Sequence, residues 1–271
     1  KKIIYIIFAI IFISYAAFFK SDKKLINYVD PFIGSGGHGH VFVGANVPFG
    51  GVQVGPTNFN KGWDWSSSYH HTDSIVKGFC HINVSGTGMS DLGELTIMPA
   101  TGELKTGAGT QENHMAGYSS LYRKNKEFAT PGYYKVHLER YDIDVELTAT
   151  ERVGLHNYIF PDAEKSRIII DLGEGSADRP TETYIRKVND TLFEGHRFST
   201  GWARDQREYF SLIISKPVSD FIVYDRHKKF EGTERKGDYV KGFLEFSTEE
   251  DEKIMVKMGI STVSSKNALE N

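Results

Sequence analysis

A short aromatic segment carries the residues of this sequence that are best suited to chemistry. Trp63 and Trp65 flank Asp64, and the run Tyr69-His70-His71 follows within six residues. Flat aromatic faces stack on the apolar CH patches of a sugar ring, while carboxylate and imidazole groups fix its hydroxyls by hydrogen bonds. The segment therefore predicts a carbohydrate contact. A core tryptophan capped by polar neighbours is the structural alternative, and the local sequence leaves both open.

Histidines recur at His38 and His40 and again at His81. On an extended segment, residues two apart face the same side, as zinc ligands do. The first two lie in a glycine-rich loop, however, and no third ligand stands at a diagnostic spacing, which favours hydrogen-bonded structural histidines. The single cysteine, Cys80, excludes an internal disulfide, a thiolate zinc site and a CxxC redox pair.

Two short motifs imitate catalytic signatures without meeting their requirements. Gly34, Gly36 and Gly39 have G-x-G-x-x-G spacing, but a dinucleotide site needs a strand before these glycines and a helix N-terminus after them, and the sequence predicts neither. A serine nucleophile elbow needs glycine at the positions of Asn83 and Thr87. The glycines are interpreted instead as places where the backbone approaches a ligand or a neighbour closely.

Paired carboxylates are the remaining chemical candidates. Asp142, Asp144 and Glu146 would lie about 7 Å apart on one face of a strand, within the range that inverting glycosidases use. A general acid needs a pKa raised by burial, and these three residues occupy the polar face of an alternating segment. The pattern favours a solvated strand face, so the residues alone identify no catalytic pair.

Length and composition limit the elements that position these residues. The chain has 271 residues, of which 39% are hydrophobic and 25% charged, with a net charge of −3. This balance lacks the basic footprint of a nucleic-acid-binding protein, so no nucleic-acid partner is expected. The length fits one large domain or two small ones, and no internal repeat or second domain boundary is found.

Short extended segments dominate the chain after residue 25, and helix is scarce. Their regular spacing predicts an all-β fold, an antiparallel β-sandwich. The run Ile168-Ile169-Ile170 is apolar on both faces and predicts a central strand. Residues 28–99, rich in Gly, His and Trp, are interpreted as loops that carry function. The predicted strands are 133–147, 155–160, 167–172, 192–198, 209–215, 220–224, 239–247 and 253–260.

The first residues predict export to the periplasm, the cell surface or the medium. Two lysines precede an apolar run over residues 3–19, with Ala16 and Ala17 near its end. This organisation is typical of a cleaved signal peptide, and an uncleaved anchor is the alternative. Residues 1–24 are therefore interpreted as a signal peptide and a charged linker.

Several long motifs then follow in order along the chain. They strongly resemble those of the N-terminal domain of glycoside hydrolase family 92, and they cover nearly everything after the signal. The motifs are YVDPFIG (28–34), GGHGH (36–40), PFG (48–50), GWDW (62–65), GFCH (78–81), SGTG (85–88), DLG (91–93), ATPGYY (129–134), ELTATER (146–152), STGW (199–202) and VKMGIS (256–261).

The resemblance implies a secreted, calcium-dependent, inverting exo-α-mannosidase built from two domains. Residues 25–271 would form the first, a β-sandwich of the mutarotase-like supersandwich kind. A C-terminal (α/α)6 barrel, missing from this chain, would supply both catalytic carboxylates and most ligands of the calcium ion. No catalytic or metal-binding residue is therefore assigned in this chain, and the sandwich alone is expected to be inactive.

The sandwich of such an enzyme forms one wall of the substrate pocket. Trp63 matches the position that contacts the sugar beyond the cleaved bond, and the expected substrate-binding residues are Trp63, Asp64, Trp65, His38 and His81. The sequence departs from many members at Cys80, where Ser is usual, and at residues 82–84, where Ile-Asn-Val replaces Thr-His-Leu. The role of the second histidine of that motif is thereby in doubt.

The leading hypothesis is the pocket-forming domain of an exported α-mannosidase that acts on α-linked mannose glycans. A free-standing lectin-like module is the alternative, in which Trp63, Trp65 and His81 hold mannose unaided. A self-contained histidine-metal hydrolase is a third hypothesis.

Overall fold

Strands dominate the computed structural model, which describes residues 24–271. The predicted export signal and nearly all of the linker lie outside the described residues. The strands are β1 (Ala45–Asn46), β2 (Gln53–Thr57), β3 (Ile75–Val76), β4 (Gly78–Cys80), β5 (Thr96–Thr101), β6 (Ser120–Leu121), β7 (Glu127–Thr130), β8 (Tyr133–Leu138), β9 (Ile143–Ala149), β10 (Val153–Phe160), β11 (Ala163–Asp171), β12 (Arg179–Lys187), β13 (Leu192–Thr200), β14 (Gln206–Ile214), β15 (Asp220–Asp225), β16 (Lys228–Phe230), β17 (Glu234–Gly237), β18 (Val240–Thr248) and β19 (Glu252–Ser261).

Two large antiparallel sheets form a sandwich. The first has eight strands in the order β1-β2-β4-β5-β11-β18-β15-β16, and the second has nine in the order β17-β12-β13-β14-β19-β10-β9-β8-β7. Ile97 and Phe243 from the first sheet and Val145 and Leu212 from the second belong to one buried core. The predicted all-β antiparallel sandwich is confirmed, and no (α/α)6 barrel occurs within residues 24–271.

The prediction of one strand over residues 133–147 is wrong. The chain forms two antiparallel strands there, β8 and β9, with Val136 opposite Val145. Asp142, at a φ of 53°, lies in the turn between them, because a short acidic side chain tolerates the left-handed backbone better than most residues do. The alternation seen in the sequence belongs to β9, whose residues are buried and partly exposed in turn.

The predicted loop region 28–99 contains four strands of the eight-stranded sheet. β2, β4 and β5 are buried at nearly every position, so they lack the alternation of half-buried strands. The expected central strand is confirmed. Ile168, Ile169 and Ile170 are buried in β11, which lies between β5 and β18.

Helical structure is limited to short segments in residues 24–271. The α-helix α1 (Ser265–Glu270) is capped by Ser264, whose side chain accepts a hydrogen bond from the backbone N–H of Asn267. It packs against β14 and β19. Three-residue 3₁₀ turns include Trp63–Trp65, which carries the aromatic motif. No helix in this part of the chain is long and apolar enough to cross a membrane.

Candidate functional site

Trp63 stands at the surface, at the start of its 3₁₀ turn. The side chain of Asn60 accepts a hydrogen bond from the backbone N–H of Gly62 at 2.8 Å, which fixes the entry into the turn. The Trp63 side chain is 58% exposed. Its indole packs on Gly88, where a Cβ atom would lie 2.5 Å from Nε1. Glycine at position 88 is therefore required for this close approach.

Three polar residues surround the base of Trp63. Nδ1 of His38 donates to Oδ1 of Asp64 at 2.6 Å, and Nε2 of His40 lies 3.4 Å from the same oxygen. The His40 ring meets the Trp63 ring edge to face at a centroid distance of 4.3 Å, and the His38 ring lies at 5.2 Å. We call Trp63, Asp64, His38 and His40 the aromatic-acid cluster.

Asp64 is ionised at neutral pH. The hydrogen bond from His38 holds the pKa of the carboxyl group below its usual value, and His40 lowers it further. The Asp64 side chain remains 28% exposed, and no hydrogen bond within residues 24–271 engages its Oδ2. An exposed carboxylate oxygen beside a tryptophan face can accept a hydrogen bond from a sugar hydroxyl.

A tight glycine loop places the two histidines. The backbone N–H of Val41 donates to the carbonyl of Gly34 at 3.2 Å, which closes the loop. A Cβ atom at Gly39 would lie 2.0 Å from that carbonyl oxygen, so glycine is needed there. The carbonyl of His40 accepts from the N–H of Gly86 at 2.7 Å. The spacing that imitates a nucleotide loop thus serves to bring His38 and His40 against Trp63.

Trp65 points away from the cluster. Its ring stacks on His70 at a centroid distance of 4.3 Å, and its Nε1 donates to Oδ2 of Asp73 at 3.0 Å. Lys61 pairs with the same carboxylate oxygen at 2.9 Å. Trp65 is therefore engaged in holding its own loop, and the structure does not place it beside Trp63 as a second sugar platform.

His81 does not belong to the site, which corrects the sequence-based expectation. Its side chain is completely buried, and its Nδ1 donates to the carbonyl of Leu95 at 2.6 Å. Its Nε2 lies 2.9 Å from Nε2 of His156, whose Nδ1 lies 2.8 Å from the hydroxyl of Tyr158. Since Leu95 takes the Nδ1 proton of His81, the chain runs in one direction, with His156 donating to His81 and Tyr158 donating to His156.

The carboxylates of β9 lie on the partly exposed face of the sheet, as the sequence predicts. Asp144 is 2.8 Å from Nδ1 of His137. Glu146 accepts from Asn157 at 2.8 Å, and this hydrogen bond holds the pKa of Glu146 below its usual value. Burial raises the pKa of Asp144, but hydrogen bonds from His137 and Lys135 outweigh it and hold that pKa below its usual value. A general acid needs the opposite shift, so neither residue fits that role.

A buried carboxylate pair does exist, and sequence reasoning missed it. Glu94 and Asp178 both contact Nη1 of Arg197, with Glu94 at 3.0 Å, and all three side chains are fully buried. Burial raises the pKa of Glu94 to about 8. These residues lie too deep for a substrate to reach, so we assign them to the structure of the sandwich. Glu94 lies more than 80 residues from both Asp178 and Arg197 in the chain, and Asp178 and Arg197 are 19 residues apart, so no local pattern indicates the group.

The part of the chain that the structure describes contains no ligand set for the metal expected from the resemblance. Within residues 24–271, no group of three or more His, Cys, Asp or Glu side chains is placed to hold a metal ion. His38 and His40 converge on a single carboxylate, and their contacts are hydrogen-bonding ones. We therefore assign no calcium or zinc ligand here.

The cluster occupies an open surface, with Trp63 58% exposed. One apolar cavity of about 520 Å³ lies next to α1 and is lined by residues that include Leu155, Ile213 and Leu269. It contains none of the cluster residues. A sugar bound to Trp63 would thus be covered on one side only by this chain, whereas ligand pockets usually bury most of their ligand.

An exposed tryptophan face beside a carboxylate, carried on the loops of a β-sandwich, has the chemistry that sugar-binding sites require. The chain belongs to glycoside hydrolase family 92. Residues 28–261 match the model described as the glycosyl hydrolase family 92 N-terminal domain.

Solved structures agree with this assignment. A family GH92 alpha-mannosidase from Bacteroides thetaiotaomicron, in complex with mannoimidazole, is 33% identical with a TM-score of 0.89, over 92% of this chain and 34% of that one. A GH92 inverting mannosidase from the same organism is 25% identical with a TM-score of 0.76, over 93% of this chain and 33% of that one. The chain thus spans about a third of the length of these structures.

A curated relative is named an uncharacterized secreted glycosidase, from Arthroderma benhamiae. It is 27% identical over 149 residues, which are 52% of this chain and 18% of the relative.

Proposed function

We propose that this chain forms the substrate-pocket wall of an exported, inverting exo-α-mannosidase that acts on α-mannosides of N-glycans or mannans. The observation that carries the proposal is the aromatic-acid cluster, which presents an exposed indole and a free carboxylate oxygen on one surface. The solved relative that binds mannoimidazole is an alpha-mannosidase, and another is an inverting mannosidase. Export is supported by the relative named as secreted.

Each residue of the cluster has a distinct part in holding the sugar. The Trp63 face packs on the CH patches of the ring, and Oδ2 of Asp64 accepts a hydrogen bond from a hydroxyl. His38, 75% exposed, lowers the pKa of Asp64 through its hydrogen bond, and its exposed edge can reach a second hydroxyl. All of these contacts bind and orient the sugar, and none of them transfers a proton to the glycosidic oxygen.

The acid, the base and the second wall are proposed to come from a C-terminal (α/α)6 domain of the complete enzyme. The open position of the cluster supports this, because one exposed wall cannot exclude water from a bound sugar. Calcium is part of the proposal for that domain, since the described side chains contain no suitable ligand set.

The test compares the chain with the complete enzyme. Release of mannose from an α-linked mannobiose is expected from the complete enzyme and is expected to be indistinguishable from buffer for residues 25–271, with or without calcium. Positioned general acids and bases accelerate hydrolysis, and we assign no such groups to residues 25–271. Calcium-stimulated mannose release by residues 25–271 would contradict the division of labour proposed here.

Variants of the complete enzyme test the cluster. Trp63→Ala and Asp64→Asn are expected to lower kcat/KM for mannobiose at least tenfold, because each removes a contact to the sugar. Phe128→Ala is the matched control, since Phe128 is an exposed aromatic on β7, an edge strand outside the cluster. Tight binding of mannan by residues 25–271 alone would instead support the lectin-like module.

A further inference from the structure

His40 is the buried member of the aromatic-acid cluster. Its side chain is 6% exposed, whereas that of His38 is 75% exposed. Its Nε2 faces Oδ1 of Asp64 at 3.4 Å, without a hydrogen bond of good geometry to any partner. A buried polar atom without a partner costs free energy, so such an atom beside a surface site calls for an explanation.

The backbone conformation of His40 is also unfavourable in free energy. Its φ is 55°, in the left-handed region that residues other than glycine rarely occupy. The hydrogen bond from Gly86 to the His40 carbonyl holds this conformation, which turns the imidazole beneath Trp63. Strained backbone of this kind is retained mainly where the surrounding structure uses it.

We propose that His40 is a positioning residue that orients both sugar-contacting groups of the site. Its Nε2–H holds Oδ1 of Asp64, so that Oδ2 faces the sugar, and its ring edge sets the tilt of the Trp63 indole. This inference rests on the proposed function and deepens it, because it explains how a surface tryptophan and a surface carboxylate keep a fixed mutual orientation.

The two histidines differ in what they contribute. The hydrogen bond from His38 is exposed to water, and exposed pairs of this kind contribute little to holding a fixed geometry. His40 is fixed by its packing against Trp63 and by its backbone. A small movement of the carboxylate would bring the 3.4 Å contact to hydrogen-bonding distance. Two donors on one oxygen then stop the carboxylate from rotating, which leaves the other oxygen for the ligand.

Two substitutions of His40 distinguish the contribution of its Nε2–H donor from that of its ring packing. His40→Gln keeps an N–H donor close to the position of Nε2, while His40→Phe keeps a ring against Trp63 and removes the donor. His71→Gln is the matched control, because His71 is an exposed histidine of the neighbouring loop whose ring packs on Phe32, outside the cluster.

The first measurement is the pKa of Asp64, followed by carboxyl carbon NMR in this chain, whose two sheets bury their core with the chain's own residues. His40→Phe is expected to raise this pKa, and His40→Gln to raise it less. The pKa is expected to stay unchanged in His71→Gln. An Asp64 pKa that is insensitive to both His40 substitutions overturns the proposal, whatever the activity of the enzyme.

The second measurement is kcat and KM for α-linked mannobiose in the complete enzyme. His40→Phe is expected to lower kcat/KM about tenfold, mainly through KM, and His40→Gln to recover most of it, since a hydrogen bond to a charged group accounts for a factor of that size. Equal losses in both variants would assign His40 to packing alone and overturn its role as a donor. A wild-type enzyme that cleaves no mannoside refutes the proposed function, while the Asp64 pKa still decides the role of His40.

Discussion

The buried chain of His81, His156 and Tyr158 makes the stability of the sandwich depend on pH. Burial lowers the pKa of His81 to about 4 and holds the pKa of His156 well below its usual value. In the unfolded chain, a histidine titrates near pH 6.5. Between these values the unfolded state binds protons that the folded state excludes, so acid favours unfolding.

The size of this loss of stability follows from the shift in the pKa of His81. A difference of one pKa unit corresponds to about 1.4 kcal/mol, so a fall from about 6.5 to about 4 at His81 corresponds to roughly 3 kcal/mol. This stabilisation is fully present above pH 6.5 and is lost as the pH falls toward 4. His156 adds a second loss in the same direction. Domains are stable by only about 5–15 kcal/mol, so the effect is large.

Urea unfolding at several pH values between 7.5 and 4.5 measures this pH-dependent loss of stability. Carboxylates also titrate in this range, so the comparison is with His81→Asn, which keeps a donor toward Leu95 and cannot be protonated. We expect the free energy of unfolding of His81→Asn to fall less steeply with decreasing pH than that of the wild type. Below pH 6 the two slopes should differ by about 1.4 kcal/mol per pH unit. The exposed His71 serves as control, and His71→Gln should keep the wild-type slope. Identical slopes for His81→Asn and wild type would refute the reasoning.

Two further predictions rest on the structure and one on the N-terminal sequence. Trp63→Ala is expected to cost the chain only about 1 kcal/mol in a urea titration, because the ring is 58% exposed and a core tryptophan would cost about 3 to 5. Arg197→Met is expected to cost about 3 to 5 kcal/mol, since it leaves the buried carboxyl group of Asp178 without its cation; a loss below about 1 kcal/mol would contradict this. N-terminal sequencing of the exported protein is expected to begin between Ala17 and Ser21, and an intact N-terminus in a membrane fraction would indicate an anchor.

Sequence alternation predicts the strands that have one buried and one more exposed face, and it misses the strands that are buried on both faces. β10, β13 and β19 lie where alternation places them, since they have one buried and one more exposed face. β2, β4 and β5 are buried on both faces and carry glycine and proline, so their sequences resemble those of loops. The motifs of the family resemblance identify the fold where alternation fails, because they depend on the order of residues and not on periodicity.

Long-range contacts account for what the sequence could not predict about the site. His81 was selected for its residue type, yet its position is set by Leu95 and by His156, which lies 75 residues away in the chain. His40 was interpreted as a structural histidine, and only its distance to Asp64 and its contact with Trp63 reveal a place in the cluster. Residue type indicates which chemistry is possible, while burial decides whether a ligand can reach it.

The motif Trp63-Asp64-Trp65 shows how local geometry changes the meaning of a spacing. On an extended strand, residues two apart face the same side, and both indoles would form one platform. The segment is a 3₁₀ turn instead, in which each residue is rotated by about 120° from the one before. The Trp65 side chain is therefore separated from that of Trp63 by about 120° around the turn axis and packs on His70, while Asp64 reaches His38. The turn therefore places a carboxylate, and not a second indole, beside the exposed Trp63 ring, and the proposed sugar contact uses one stacking face and one hydrogen-bond acceptor.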